Sequence, residues 1–516
     1  MTVKNRILLF LFLCIYSGSL PAQLPTPQWR PVYHFTPEKN WTNDPNGLIY
    51  IDGVYHLYNQ QNPFENKWGH MSWGHSTSTD LIHWKHLSVA IPETIDEDTT
   101  LRFSGSAVLD KNNTSGFCKD KNCIVAIYTA DQPNLRKESQ FVAYSNDGGI
   151  TFTNYKNNPV LDLHMKDFRD PNVFWMKKTK QWIMAVSLPN EHKVRFYGSR
   201  DLKTWNMLSE FGQQGSLNGI WECPFLIELP VDGNLNNQKW LLAVSFSSAQ
   251  TGVHMQYFIG DFDGKKFIND NPAGRELKLD YGDSFYAAIP WNNLPGHQKT
   301  FIGWMVPGST ATSPWTGQMS IPRELGFTKT KQGLRLVQKP AIIIKNNLAK
   351  LSDNSLLEIK RLELSNREMQ LTNQQVVKNN SYWLEAELDT RDGATAGFKI
   401  AQKKDSNNNL IEETEIGYDA SKNLVYVDKR HLVDSLKKDK ARQIIDLKSD
   451  AGKINLEILF DKSSLEIFVN GGEEVLSTYI YPGEGANLLS VFATGGKSLF
   501  KNIRIWDLSR INKKAG

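Results

Sequence analysis

Cysteine is nearly absent from this chain, with four in 516 residues. That excludes a disulfide-built scaffold and a cysteine-rich metal domain. Cys14 falls in an N-terminal apolar run, which leaves Cys118, Cys123 and Cys223. The spacing in "FCKDKNC" allows a small loop disulfide in an oxidising compartment, while Cys223 reads as an unpaired buried thiol. Sequence excludes neither pairing with Cys223. A charge excess of one sign is lacking too. The 59 basic and 55 acidic residues leave a formal net charge of +4, with no basic block. Nucleic acid and acidic membrane surfaces are therefore not expected partners. His56, His70, His75, His83 and His86 match no metal-ligand spacing and read as packing residues, so no metal and no other cofactor is expected. Asn-X-Ser/Thr triplets at Asn112, Asn113 and Asn379 arise often by chance and support no glycosylation.

Long hydrophobic runs are also missing, with one exception. Ile7 to Tyr16 follows Lys4 and Arg6 and precedes small residues. This run is too short to span a bilayer and reads as a secretory signal over residues 1–22, cleaved after Ala22. Leu13 stands before Cys14 where a lipoprotein site wants a small residue, which disfavours lipidation. No other segment reads as a membrane span. The expectation is an exported protein, periplasmic or extracellular.

Long helical patterns are scarce. Short apolar runs dominate instead, such as "VYHLYNQ", "NCIVAIYTA", "WIMAVSLP", "WLLAVSF" and "TFIGWMV", broken by Gly, Pro, Asn and Asp. They read as strands. A loose motif recurs as "STDLIHW", "SNDGGITF", "SRDLKTW" and "DFDGKKF", ending at Trp84, Phe152, Trp205 and Phe267. A repeat of roughly sixty residues built of strands suggests blades around an axis. Residues 28–345 are therefore expected to form a β-propeller of about five blades. A connector follows at 346–355, and 356–512 show the two-residue alternation of a β-sandwich. "VNGGEEV" marks a hairpin there. The fold class is all-β: a five-bladed propeller followed by a C-terminal sandwich.

What the chain does have is aromatics, with 15 Trp. An indole offers a flat apolar face and a donor that suit sugars, although Trp equally fills β cores. Three acids also share a local setting. "WTNDPNG" holds Asp44 before Pro45, "DFRDPNVFW" holds Asp170 before Pro171, and "WECPFL" holds Glu222 one residue before Cys223-Pro224. The restriction that Pro imposes on its predecessor predicts extended backbone at Asp44 and Asp170. Intervals of 126 and 52 residues are about two blades and one, so the three carboxylates are expected to meet at one end of the channel. Asp-Pro is also an ordinary turn element. The chemistry that needs such a set is glycoside cleavage, with one ionised carboxylate, one proton donor, and a third acid to grip hydroxyls.

An ordered set of segments carries a resemblance: "WRPVYHFTPEKNWTNDPNGLIY", "NPFENKWGHMSWGHSTSTDLIHW", "RFSGSAV", "KDFRDPNVFW", "WECPF", "SFYAA", "IGWM", "SPWTGQMSIPREL" and "FDKSSLEIFVNGGEEV". Together they resemble glycoside hydrolase family 32, the fructan β-fructosidases, levanases, inulinases and invertases. The resemblance implies a retaining double displacement on a fructan or sucrose substrate, releasing terminal β-D-fructofuranosyl units. Asp44 would be the nucleophile, Glu222 the acid and then base, and Asp170 the stabiliser of the transition state. Trp41, Asn43, Gln60, Trp68, Phe103, Ser104, Arg169 and Trp315 match positions that line the sugar site. Two departures stand out. Ser284 replaces an Asp that many relatives carry before "FYAA", with Asp283 one residue earlier, and the segment "VPGSTAT" is short. Both concern the leaving side of the substrate. A fructosyltransferase using the same intermediate and a non-catalytic fructan-binding protein are the alternative readings.

Overall fold

The computed structural model describes residues 27–95, 99–119, 123–249, 252–308, 312–351, 356–371, 379–390, 394–431, 442–447 and 452–511. The expected leader lies outside the described residues. Each apolar run named above forms a strand: Val54–Asn62, Ile124–Gln132, Gln181–Leu188, Asn234–Ser248 and Thr300–Met305. These strands are second in antiparallel sheets whose first strands are Asn40–Ile51, Leu101–Leu109, Arg169–Met176, Ile220–Val231 and Phe285–Pro290. The five first strands touch one another in a closed ring around a central channel. Trp315–Thr316 pairs in parallel with the start of Asn40–Ile51 and ties the last sheet to the first.

The recurring motif has a physical basis. In each copy it is the turn that joins the third strand of a sheet to the fourth. An Asp caps that turn by accepting backbone N–H groups that the bend leaves unpaired. Asp80 accepts from Ile82 and His83, Asp147 from Ile150 and Thr151, Asp201 from Lys203 and Thr204, and Asp263 from Lys265 and Lys266. In two copies the next residue, Leu81 or Leu202, takes positive φ and is driven into the core. The motif therefore reports the blade's outer corner.

The second domain is a β-sandwich. Its strand Leu488–Asp507 pairs with Thr395–Lys404 through its first half and with Ser381–Thr390 through its second. "VNGGEEV" turns between Ser464–Val469 and Glu474–Tyr479, as the hairpin reading expects. Ile342–Leu351, which overlaps the expected connector, is an α-helix. Ile344 and Leu348, one helical turn apart, sit in a core that also holds Tyr33 and Leu48 of the propeller and Trp383 and Phe468 of the sandwich. Burying such side chains stabilises by roughly 1.5–3 kcal/mol each, which orders a segment whose Lys and Asn content looks loose. Cys118 and Cys123 are thiols, so the loop disulfide that their spacing allows is not formed, and Cys223 is a buried thiol as expected.

Charge also joins the domains. The His34 ring, fully buried, lies 2.9 Å from Asp461 and 2.8 Å from Glu466. Glu466 also accepts the Ile321 N–H at 2.6 Å and pairs with the buried Arg323 guanidinium. Arg323 reaches Asp280 at 3.1 Å and Ser477 at 2.6 Å. Buried ions need such complete pairing, because losing one partner strands the other in low dielectric. Burial alone would lower the His34 pKa, but Asp461 and Glu466 outweigh it and raise it from 6.5 to about 9. A raised pKa stabilises the fold fully below the unfolded value and not above the folded one. Thermal unfolding is therefore expected to lose on the order of 3 kcal/mol of stability as pH rises from about 6.5 through about 9, and His34→Gln should flatten that slope. An unchanged slope in the variant would refute it.

Candidate active site

A bulge builds the site. Near the start of every inner strand, three steps along that strand oppose two on its neighbour. The shifts fall between Thr42 and Pro45, Arg102 and Gly105, Arg169 and Asn172, Glu222 and Phe225, and Tyr286 and Ile289. One extra residue bends a strand and re-aims its side chains. Pro171 and Pro224 lie within two of these bulges, where a missing N–H costs no ladder bond. The backbone differs here from the extended expectation. Asp170 has φ of 67°, and Cys223 and Ala287 have 48° and 53°. Pro excludes the right-handed helical region for its predecessor, and the bulge then takes the left-handed one, which Asp tolerates better than most residues. Asp44 stays out of it. Asp170 is held by its own N–H donating to Thr129 Oγ1 at 2.9 Å and by Oδ2 accepting the Cys223 N–H at 2.9 Å.

The three acids converge. Cys223 Sγ lies 3.5 Å from Asp44 Oδ2 and 3.6 Å from Asp170 Oδ2, so one sulfur bridges the two carboxylates. Glu222 precedes it in the chain, and its charge acts on both. Asp44 accepts the Ser104 hydroxyl at 2.6 Å and the Asn43 amide at 3.1 Å. Glu222 accepts Arg169 Nη1 at 3.0 Å on one oxygen and the Tyr286 hydroxyl at 2.6 Å on the other. Arg169 is fixed in turn by Glu138 at 2.9 Å and by Asp167. Asp170 is buried, whereas Asp44 and Glu222 keep partly open edges. The two accessible acids thus flank a mouth whose floor is the third.

Burial raises the Asp44 pKa, and the Ser104 and Asn43 donors oppose it while Glu222 adds to it. Asp170 is pushed well above the usual carboxylate range by burial and by Glu222, against the pull of Arg169. Burial works against charge on Arg169, but Glu138, Glu222 and Asp170 outweigh it and keep the guanidinium ionised. The Cys223 thiol is held neutral by burial and by Asp170, Asp44 and Glu222.

The other expected residues divide. Ser104, Asn43 and Arg169 touch the acids directly. Trp41 donates its indole N–H to Asn43 at 2.8 Å, one step behind Asp44. Phe103 sits in the second bulge with its ring edge-on to Trp68, which is 56% exposed at the rim. Gln60 is buried and donates to the Arg102 carbonyl at 2.8 Å, fixing that bulge. Trp315 does not open to the mouth: it is 3% exposed, with the Arg30 guanidinium 4.0 Å over its ring. Asp283 turns from the mouth toward Lys429 of the sandwich at 3.1 Å. Tyr286, Glu138, Asp167 and the bridging role of Cys223 escaped the sequence reading. Tyr286, Asp167 and Cys223 carried a signal in their places in "SFYAA", "KDFRDPNVFW" and "WECPF", whereas Glu138 carried none. His56 and His75 pack against each other and Tyr58 in the core, as packing residues should. A cavity of about 920 Å³ lined by Phe174, Glu228 and Asn292 opens at the other ends of the inner strands and holds none of these groups.

Comparison with known proteins accords with this geometry. Residues 34–340 match the glycosyl hydrolases family 32 N-terminal domain, and residues 347–507 match the glycosyl hydrolases family 32 C terminal domain. A levanase of Bacillus subtilis (strain 168) is 40% identical over 94% of this chain and 71% of its own length. An extracellular exo-inulinase of Aspergillus awamori is 34% identical over 91% of this chain and 92% of its own. The crystal structure of exo-inulinase from Aspergillus awamori superposes with a TM-score of 0.82 at 32% identity, covering 94% of this chain and 98% of that one. A fructofuranosidase from Schwanniomyces occidentalis complexed with fructosylnystose gives 0.83 at 31% identity, covering 93% and 98%. Over both of its domains, the chain belongs to glycoside hydrolase family 32.

Proposed function

We propose that this chain is an exported, retaining exo-β-fructosidase that removes terminal fructose from levan, inulin or sucrose. The observation that carries the reading is the meeting of Asp44, Asp170 and Glu222 at the bulged ends of three inner strands, with Asp44 and Glu222 partly exposed and Asp170 buried. The ring of five inner strands is read as five blades. The names of the levanase and exo-inulinase relatives support the substrate class, and the extracellular relatives together with the apolar N-terminal run support export.

Asp44 attacks the anomeric carbon of the terminal fructosyl unit. Its carboxylate gains a bond to that carbon as the bond to the leaving oxygen breaks, and Glu222 supplies the proton that oxygen needs. Glu222, now ionised, takes a proton from water. The water oxygen bonds to the same carbon, Asp44 leaves, and configuration is retained. Ser104 and Asn43 donate to the Asp44 carboxylate and favour its ionised form. Asp170 would hold the fructose hydroxyls, and the positive charge that builds on the ring would join Arg169 in favouring its ionised form, which offsets that charge. Arg169 holds Glu222 through Nη1 and is itself anchored by Glu138. Trp41, Gln60, Phe103 and Trp68 shape the walls, with Trp68 offering an exposed ring face to the sugar.

Incubation with levan, inulin and sucrose should release free fructose from the first time points. Early oligomers would exclude exo attack, and lengthening oligosaccharides at high sucrose would favour transfer. Asp44→Asn and Glu222→Gln should each lower kcat at least about a thousandfold, while normal fructose release by either variant would reject its assigned role. Because the Asp44 pKa is raised, the acid limb of kcat/KM should lie above the ordinary carboxylate value of 3.8. Ser104→Ala removes a donor to the ionised form, so it should shift that limb to higher pH and cost roughly tenfold to a hundredfold in kcat/KM. A limb that stays put or moves to lower pH would contradict this account of Asp44.

A further inference from the structure

We propose that the β-sandwich positions the proton donor of the propeller, and that Lys429 and Thr478 are the positioning residues. The proposal rests on the assignment of Glu222 as acid. Glu222 is oriented by Tyr286, whose hydroxyl donates to Oε2 at 2.6 Å. Tyr286 is the second residue of the strand Phe285–Pro290. The residues just before that strand run along the sandwich. Tyr281 N–H donates to the Val475 carbonyl at 2.8 Å. Asp280 accepts the Ser477 N–H at 2.9 Å and the Ser477 hydroxyl at 2.7 Å. Gly282 passes so close that a Cβ there would stand 1.8 Å from the Ser477 carbonyl oxygen.

The last link is ionic. Lys429 Nζ, on a side chain only 10% exposed, donates to Asp283 at 3.1 Å, to Thr478 Oγ1 at 2.8 Å and to the Tyr479 carbonyl at 3.3 Å. Three acceptors satisfy the three donors of an ammonium. The Thr478 hydroxyl donates to Asp283 at 2.8 Å and accepts from Gln443 at 2.8 Å. Asp283 also accepts the Ser284 hydroxyl at 2.9 Å, and the Ser284 carbonyl accepts the Val306 N–H at 2.7 Å. On the neighbouring strand, Tyr479 donates to the Met305 carbonyl at 3.1 Å. Sandwich side chains therefore grip the lead-in to one strand and the end of the other in the hairpin that presents Tyr286, which is three residues from Asp283. This accounts for an acid at 283 that faces away from the mouth.

A merely structural bond would slow all substrates alike. A bond that sets the acid would slow only substrates whose leaving group needs a proton. The test compares kcat/KM for sucrose and for β-D-fructofuranosyl fluoride, because fluoride departs without full protonation and kcat/KM reports only steps up to the fructosyl-enzyme. Lys429→Met should lower the sucrose value by about tenfold or more and the fluoride value by less than about threefold. Lys429→Arg, which keeps a cation at the site, should recover part of the sucrose loss. Thermal unfolding confirms that each variant is folded, and Thr478→Val carries the same comparison if Lys429→Met is not. Equal losses on both substrates, or no loss on sucrose, would overturn the proposal. Wild-type protein that releases fructose from neither substrate, nor from levan or inulin, would overturn the hydrolase reading itself.

Discussion

A single extra residue in each inner strand is the constraint on which the site depends. Without it, the residues after Thr42, Arg102, Arg169, Glu222 and Tyr286 would alternate regularly, and half of them would point back between sheets. The bulge breaks that alternation at the same height in every sheet. Short side chains with donors or carboxylates then face one hollow, from strands that are far apart in the chain. The left-handed backbone at Asp170 and Cys223 is strained for residues other than Gly, and it persists because surrounding hydrogen bonds hold it. The Thr129 hydroxyl and the Asp170 carboxylate supply them. Position and electrostatics thus have one origin, since the same distortion that aims the acids also crowds them.

The sandwich has a second kind of dependence on the propeller. His34, Arg323, Asp280, Asp461 and Glu466 form a dry cluster in which every charge has an opposite neighbour. Apolar side chains from both domains and the helix Ile342–Leu351 surround it. Apolar contact supplies the area, and the ions fix the relative placement, because a small slide would leave a buried charge unpaired. Placement matters here, since the residues that lead into the Tyr286 strand are bonded to the sandwich.

Much of this was legible in the letters, for identifiable reasons. The blade corners could be read because an Asp that caps a turn must stand at a fixed offset from it, as Asp80 and Asp201 do. The acids could be read because Pro171 and Pro224 mark bulges that tolerate a missing N–H. The second and fifth bulges carry Phe103-Ser104 and Ala287-Ala288 instead, so the shared device was invisible there. The backbone of Asp170 was misjudged because the proline rule forbids one region without choosing between the two that remain. Glu138 sits in "RKESQ", which looks like a wet surface, and is buried where the Phe168 N–H and Arg169, 31 residues away, both donate to it. Trp315 looked like a sugar platform, but an indole is equally good company for Arg30, and only coordinates tell the two apart. The helix Ile342–Leu351 was not read because its core-facing pair, Ile344 and Leu348, is diluted by Lys and Asn.

The sulfur between the two aspartates has a chemical corollary. A thiol attacks disulfides and electrophiles as its anion, and Cys223 is surrounded by groups that forbid a further negative charge. Oxidants and alkylating reagents would meet it in its least reactive form. An unpartnered cysteine is ordinarily a liability where disulfides are being made and exchanged. Here the carboxylates themselves quench it, so the hollow can keep a soft, compact contact between two acids without inviting mispairing.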